Sequence, residues 1–135
     1  MFGRLIAWLR GDEAGAGSSN ARIRLGARGE RIAARHLKRN GYRIVSRNFR
    51  AAGAEIDLVA MDGETLVFVE VKTRLGAGAG APQEALDRRK QAHIRRAATI
   101  FADRNRAESR AIRFDVVAIA GAGYDRRIEI LKDAF

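Results

Sequence analysis

From Ala54 to Arg74 the chain reads AEIDLVAMDGETLVFVEVKTR, two runs dense in Val, Ile, Leu and Phe on either side of Asp62-Gly63. Strand, tight turn and strand is what that pattern specifies. Ahead of it, Leu25, Gly29, Ile32, Ala33, His36 and Leu37 fall on one face of a helix over Ala21 to Asn40, which Asn40-Gly41 stops. Tyr42 to Phe49 alternates as a first strand. After the hairpin comes a glycine-rich loop, Arg74 to Ala81; no Gly-Lys-Ser/Thr follows it, which argues against a nucleotide triphosphate site. Pro82 then opens a second helix with Glu84 and Asp87 in its early turns and a stripe of Leu86, Lys90, Ile94, Ala97 and Phe101. Ile112 to Ala120 is a buried strand and Arg126 to Leu131 a short last one. Helix, three strands, helix, strand, strand specifies an α/β domain: a mixed central sheet flanked by helices, its central hairpin antiparallel and a later strand returning after a helical crossover.

The ends and the length bound this picture. The start, MFGRLIAWLR, has apolar residues at helical spacing but is too short and too charged for a secretory signal, and Gly11 to Asn20 is a small, polar linker. Residues 1–20 are therefore a short helix and linker, and residues 21–135 one domain. No apolar run is long enough to span a bilayer, so a soluble protein without a membrane role is expected. With no Cys, disulfides, thiolate metal sites and a Cys nucleophile are excluded. His36 and His93 are isolated and form no zinc motif.

Charge changes the picture more. All but four of the 26 basic residues are Arg, against 16 acids, for a net charge of +10. Arg grips phosphate with a planar fork, so the excess fits a polyanionic partner. The charge is also segregated: residues 21–50 hold ten basic side chains and one acid, whereas residues 51–80 hold two basic and five acidic. Arg22, Arg24, Arg28, Arg31 and Arg35 line the first helix as candidate nucleic-acid contacts. Its single acid, Glu30, has Gly26, Ala27, Ala33 and Ala34 at the spacings where an ion pair would form, which leaves it free to face a site.

Within the hairpin, Glu55, Asp57, Glu70 and Lys72 sit in strands otherwise apolar enough to be buried. Opposed residues in an antiparallel pair have a constant sum. A turn centred on Gly63 and Glu64 makes that sum 127, setting Asp57 against Glu70 and Glu55 against Lys72; a sum of 125 keeps all four on one face, and 126 separates them. Under the odd registers three carboxylates and an ammonium converge. Such carboxylates repel unless a cation lies between them, and oxygen-only ligands suit Mg2+ or Mn2+. The competing reading is a set of ordinary cross-strand ion pairs, Glu55 with Lys72 and Asp57 with an Arg. Lys90, interrupting the apolar face of the second helix, either snorkels to solvent or reaches the same site.

An acid in one strand and Glu-x-Lys in the next resembles the PD-(D/E)xK nuclease core. The wider pattern is similar to the YraN-like family of bacterial proteins, predicted endonucleases related to archaeal Holliday junction resolvases. The resemblance covers residues 22 to 131, through Gly26-Ala-Arg-Gly-Glu30, Gly41-Tyr42, Arg47-Asn48, Glu55-Ile56-Asp57-Leu58, Phe68-Val69-Glu70-Val71-Lys72 with Arg74, Lys90, and Arg113-Phe114-Asp115. It implies a restriction-endonuclease-like fold, Asp57 and Glu70 as metal ligands, Lys72 as the catalytic lysine, Glu30 as a helix acid at the site and Glu55 as a supporting acid. It further implies a cytoplasmic, magnesium-dependent endonuclease hydrolysing phosphodiester bonds of DNA, including branched DNA, and a homodimer of the kind two-fold substrates favour. Arg113 and Asp115, two apart on one strand face, are expected to be a structural pair. The alternative function is a non-catalytic module that grips DNA or RNA on the same fold and is indifferent to metal.

Overall fold

The structure, a computed structural model, describes residues 19–74 and 87–135, and of residues 19–25 the backbone alone. The N-terminal helix, most of the expected linker, the glycine-rich loop, Pro82, Glu84, Leu86 and the side chains of Arg22 and Arg24 lie outside the described residues. The elements are α1 (Ser19–Arg39), β1 (Arg43–Ala51), β2 (Ala54–Asp62), β3 (Thr65–Arg74), α2 (Arg88–Arg104), β4 (Ile112–Ala120) and β5 (Arg127–Leu131). Ser19 and Asn20, placed in the linker by their composition, belong to α1. Among the described residues no helix is long and apolar enough to cross a membrane.

The five strands lie in chain order, β1-β2-β3-β4-β5. β1, β2 and β3 are antiparallel neighbours, β4 runs parallel to β3 after the α2 crossover, and β5 returns antiparallel. This is the mixed α/β sheet that the order of elements specifies, consistent with a restriction-endonuclease-like architecture. Gly63 takes φ 59°, as the first central residue of a two-residue primed turn can, and it fixes the β2–β3 register at Asp62 with Thr65 through Leu58 with Val69.

The sheet is covered on both faces. α1 lays Ala33, Ala34 and Leu37 over Leu58, Ala60, Val67, Val69, Val117 and Ile119. α2 lays Ile94, Ala97, Ala98 and Phe101 over Val59, Met61, Leu66, Phe68 and Phe114 on the other face. The end of α1 is closed by Tyr42 N–H donating to Leu37 O and Gly41 N–H to Lys38 O, with Gly41 at φ 89°. α2 starts later than proline placement suggests: Asp87 is not inside its early turns but is its N-cap, accepting from Lys90 N–H at 2.8 Å.

At the turn end of the sheet Asp115, fully buried, accepts from Tyr42 Oη at 3.0 Å, from Arg113 Nε and Nη2 at 2.8 Å each, and from Asp133 N–H at 3.0 Å. Arg113 also reaches Asp62 at 2.8 Å, which holds the Asp62 carboxyl below its usual range. Arg113 and Asp115 are thus a structural pair, and they tie the hairpin turn to the C-terminal residues.

Candidate metal centre

At its other end the sheet splits. The β2–β3 ladder stops at Leu58 with Val69, and beyond that pair Asp57 Oδ2 accepts the Val71 N–H at 2.8 Å. A side-chain carboxylate has replaced a backbone carbonyl. Residues two apart in an undisturbed strand share a face, yet Ile56 packs beneath α2 and Leu58 beneath α1. The inversion is matched in β1: Arg47 pairs with Leu58 and Phe49 with Ile56, which sets Asn48 opposite Asp57, and Asn48 takes φ 53°. Asn tolerates that left-handed conformation better than most residues. Both strands turn at this step, so Asp57 stands where the two faces of the sheet meet.

Each neighbouring element then delivers one group. Glu70 and Lys72 follow Leu66 and Phe68 on the α2 side of β3, and both are buried. Glu70 Oε1 lies 3.1 Å from Lys90 Nζ, in the first turn of α2, and 3.7 Å from Lys72 Nζ. From the opposite side α1 brings Glu30, hydrogen-bonded by the Asn48 side chain. This approach depends on Gly29, whose Cα abuts Thr73 of β3 so closely that an added Cβ would overlap the Thr73 hydroxyl. Oxygens of Glu30, Glu55 and Asp57 all lie within 4.8 Å of one another.

Of the residues singled out by sequence, then, Glu30, Glu55, Asp57, Glu70, Lys72 and Lys90 meet at the fork. The β2–β3 ladder ends before either expected opposed pair, Asp57 with Glu70 or Glu55 with Lys72. Glu55 faces Arg50, at 3.3 Å, rather than Lys72, because the ladder that would have carried the register that far has already parted. Asp57 likewise meets a backbone N–H where a cross-strand Arg was the competing expectation. Arg28, Arg31 and Arg35 are exposed on α1, and Arg74 is half-buried at the end of β3. Asn48, Gly29 and Thr73 escaped notice as site-builders. Asn48 had a signal, being an Asn inside a strand pattern, but its left-handed φ has no counterpart in hydrophobic periodicity.

The electrostatics are those of crowded acids. Burial pushes the Asp57 carboxyl well up, the nearby Glu70 and Glu30 charges push it further, and the Val71 N–H and Lys90 oppose them. Glu30 is also raised, first by burial, then by Glu55 and Glu70, against the Asn48 hydrogen bond. A hard divalent cation is what such a donor set fits: oxygen ligands only, from carboxylates whose charge burial makes unfavourable. Glu30, Glu55 and Asp57 are the acids whose oxygens converge where it could be held, and Glu70, whose charge acts on Asp57, adjoins them. Beside them an open cleft of about 410 Å³ is lined by Arg50, Ala51, Gly53, Ala54 and Glu55, so that Glu55 is the acid of the fork that borders it.

Residues 29–119 match the sequence profile of the uncharacterised protein family UPF0102. The chain belongs to that family. A UPF0102 protein of Geobacter sulfurreducens is 50% identical over 122 residues, covering 90% of this chain and 94% of the relative. One from Chlorobaculum tepidum is 48% identical over 122 residues, covering 86% and 95%. Another, from Rhodococcus jostii, is 50% identical over 115 residues, covering 84% and 97%. The UPF0102 span begins one residue before Glu30 and ends with Ile119 in β4, so it encloses every acid and lysine of the fork.

Proposed function

We propose that this UPF0102 protein is a metal-dependent hydrolase of phosphodiester bonds in DNA, a nuclease of the PD-(D/E)xK type. The observation that carries this reading is the fork itself: Glu30, Glu55 and Asp57 oxygens within 4.8 Å of one another beside buried Glu70 and Lys72. Asp57 and Glu70, supported by Glu55 and Glu30, would hold Mg2+ or Mn2+. When bound, such an ion polarises a phosphoryl oxygen and lowers the pKa of a coordinated water. The rest of the work belongs to the chain. Lys72, fixed in β3 and 6% exposed, lies 3.7 Å from Glu70 and would present its side-chain nitrogen where charge develops on phosphate. Asn48 and Gly29 set the position of Glu30, and the exposed Arg28, Arg31 and Arg35 of α1 supply sequence-independent phosphate contacts. The Asp57 to Val71 hydrogen bond fixes one carboxylate oxygen so that the acids need little reorganisation.

The test is cleavage of linear, flapped and four-way DNA in Mg2+ or Mn2+. Glu70→Ala and Lys72→Ala should abolish cutting while DNA binding persists. No cleavage of any substrate by the wild-type protein with either metal overturns the proposal. One observation favours a second reading, a binding module without chemistry: Glu70 is already engaged by two ammonium groups. That module would bind DNA in a salt-sensitive way, unaffected by metal or by Asp57→Asn.

A further inference from the structure

We propose that Lys90 is a built-in cation of the fork, which holds Glu70 through its ammonium and competes with a divalent ion for that carboxylate, so that Lys90 sets how tightly the ion is held. The inference rests on the reading of the fork as a metal site and adds a residue that works against metal binding.

Lys90 occupies a position that an apolar side chain should fill. It leads the stripe that α2 continues with Ile94, Ala97 and Phe101, three buried residues facing the sheet. A lysine there has to find an acid or reach solvent. It finds Glu70, at 3.1 Å, and its charge is close enough to Asp57 to act on that carboxyl as well. Both lysines lie on the same Glu70 oxygen, Oε1, and a cation held beside that oxygen is held less tightly, since the positive charges would lie within a few ångströms of each other.

The two lysines on Glu70 are not equivalent. Lys72 stands 3.7 Å away near the end of β3, with its side chain 6% exposed. Lys90 is 23% exposed and stands in a helix's first turn, whose backbone Asp87 anchors independently of the side chain. Its four-carbon stem can swing outward without moving the helix. Arg88 and Arg89, exposed on the same turn, mark where it would arrive. There it becomes a third cation available to a phosphate. Metal loading and phosphate affinity are thereby linked through one side chain, as differential binding to two arrangements requires.

The test is calorimetric binding of Mn2+ alone to chelator-treated protein, for wild type, Lys90→Met, Lys90→Arg and Asp57→Asn. Lys90→Met should bind Mn2+ about tenfold more tightly, the scale of one partly buried ion pair, and Lys90→Arg close to wild type. Weaker or unchanged binding by Lys90→Met, with wild type binding and Asp57→Asn not, overturns the Lys90 inference and leaves the metal site standing. No Mn2+ binding by any of the proteins overturns both. A measurement on the unaltered chain guards against a variant that fails to fold. With only four lysines, the side-chain ammonium signals can be assigned by NMR. Mg2+ should shift the Lys90 signal to that of a solvated lysine while Lys72 stays protected, and a Lys90 signal that does not respond to saturating Mg2+ contradicts the proposal.

Discussion

Two glycines three residues apart on α1 should respond in opposite senses to the same substitution. A Cβ on Gly26 meets nothing within 4 Å, and no positive φ holds that position open for glycine. Gly26→Ala therefore gains helix propensity alone, about 1 kcal/mol. A Cβ on Gly29 would sit inside the van der Waals shell of the Thr73 hydroxyl and 3.4 Å from Thr73 Cβ. The same propensity gain is then set against overpacking of about 1–3 kcal/mol, and because Thr73 is β-branched and stiff the penalty prevails, for a net loss of up to about 2 kcal/mol. Separating α1 from β3 also draws Glu30 away from Asn48 and the other acids, so Mn2+ affinity should fall with stability. Urea denaturation and Mn2+ titration of Gly26→Ala, Gly29→Ala and two double variants check this. Thr73→Ala should rescue Gly29→Ala in both assays, since the nearest remaining atom is then an ordinary contact; Thr73→Val, branched like threonine, should not. Equal stability of the two alanine variants, or no rescue by Thr73→Ala, refutes the reasoning.

Other outcomes follow from the same geometry. Tyr42→Phe removes one of the donors to buried Asp115 and should cost about 1–2 kcal/mol, whereas Asp115→Ala takes the shared acceptor from Tyr42, Arg113 and Asp133 N–H at once, leaving Arg113 its bond to Asp62, and should cost about 3–5 kcal/mol, both by urea denaturation. Because burial and neighbouring acids raise Asp57 and Glu30 in the folded state, the unfolded chain gives up these protons first as pH rises. Their contribution is complete below the ordinary carboxylate range and is lost as pH climbs from there through the raised values, so in chelator Asp57→Asn should become increasingly more heat-stable than wild type toward neutral pH; no pH dependence of that difference would contradict the shifts. Alanine at Arg28, Arg31 or Arg35 should weaken DNA binding evenly across sequences and reduce the slope of log affinity against log salt by about 1 per residue, read by fluorescence anisotropy.

The fold was legible where local chemistry and hydrophobic pattern agree. Gly63 at a two-residue turn and alternating apolar runs set the β2–β3 register at a sum of 127, and the ladder from Asp62–Thr65 to Leu58–Val69 keeps it. Extending that arithmetic to Glu55 and Lys72 assumed an unbroken ladder. The break depends on the Asp57 carboxylate taking a backbone N–H and on the left-handed Asn48, neither of which a period-two pattern encodes. Glu30 was legible through what surrounds it, a lone acid without helical partners. Gly29 was visible as a position on the packed face of α1, but the reason for a glycine there is a contact with a strand 44 residues later. Asp87 was expected inside the early turns of α2 because an acid favours an N-cap and a first turn alike; the hydrogen bond it accepts from Lys90 N–H makes it the cap.

The central claim is that these acids share a divalent ion, and a crystal structure grown in Mn2+, with anomalous scattering recorded at the manganese edge, tests it most directly. The account predicts an anomalous peak at the fork within about 2.0–2.3 Å of an Asp57 oxygen and of at least one oxygen from Glu70, Glu55 or Glu30, with the Lys90 ammonium turned away from Glu70. A saturated crystal with no peak at the fork, or with Asp57 and Glu70 still bound only by the Val71 N–H and the two lysines, would contradict it.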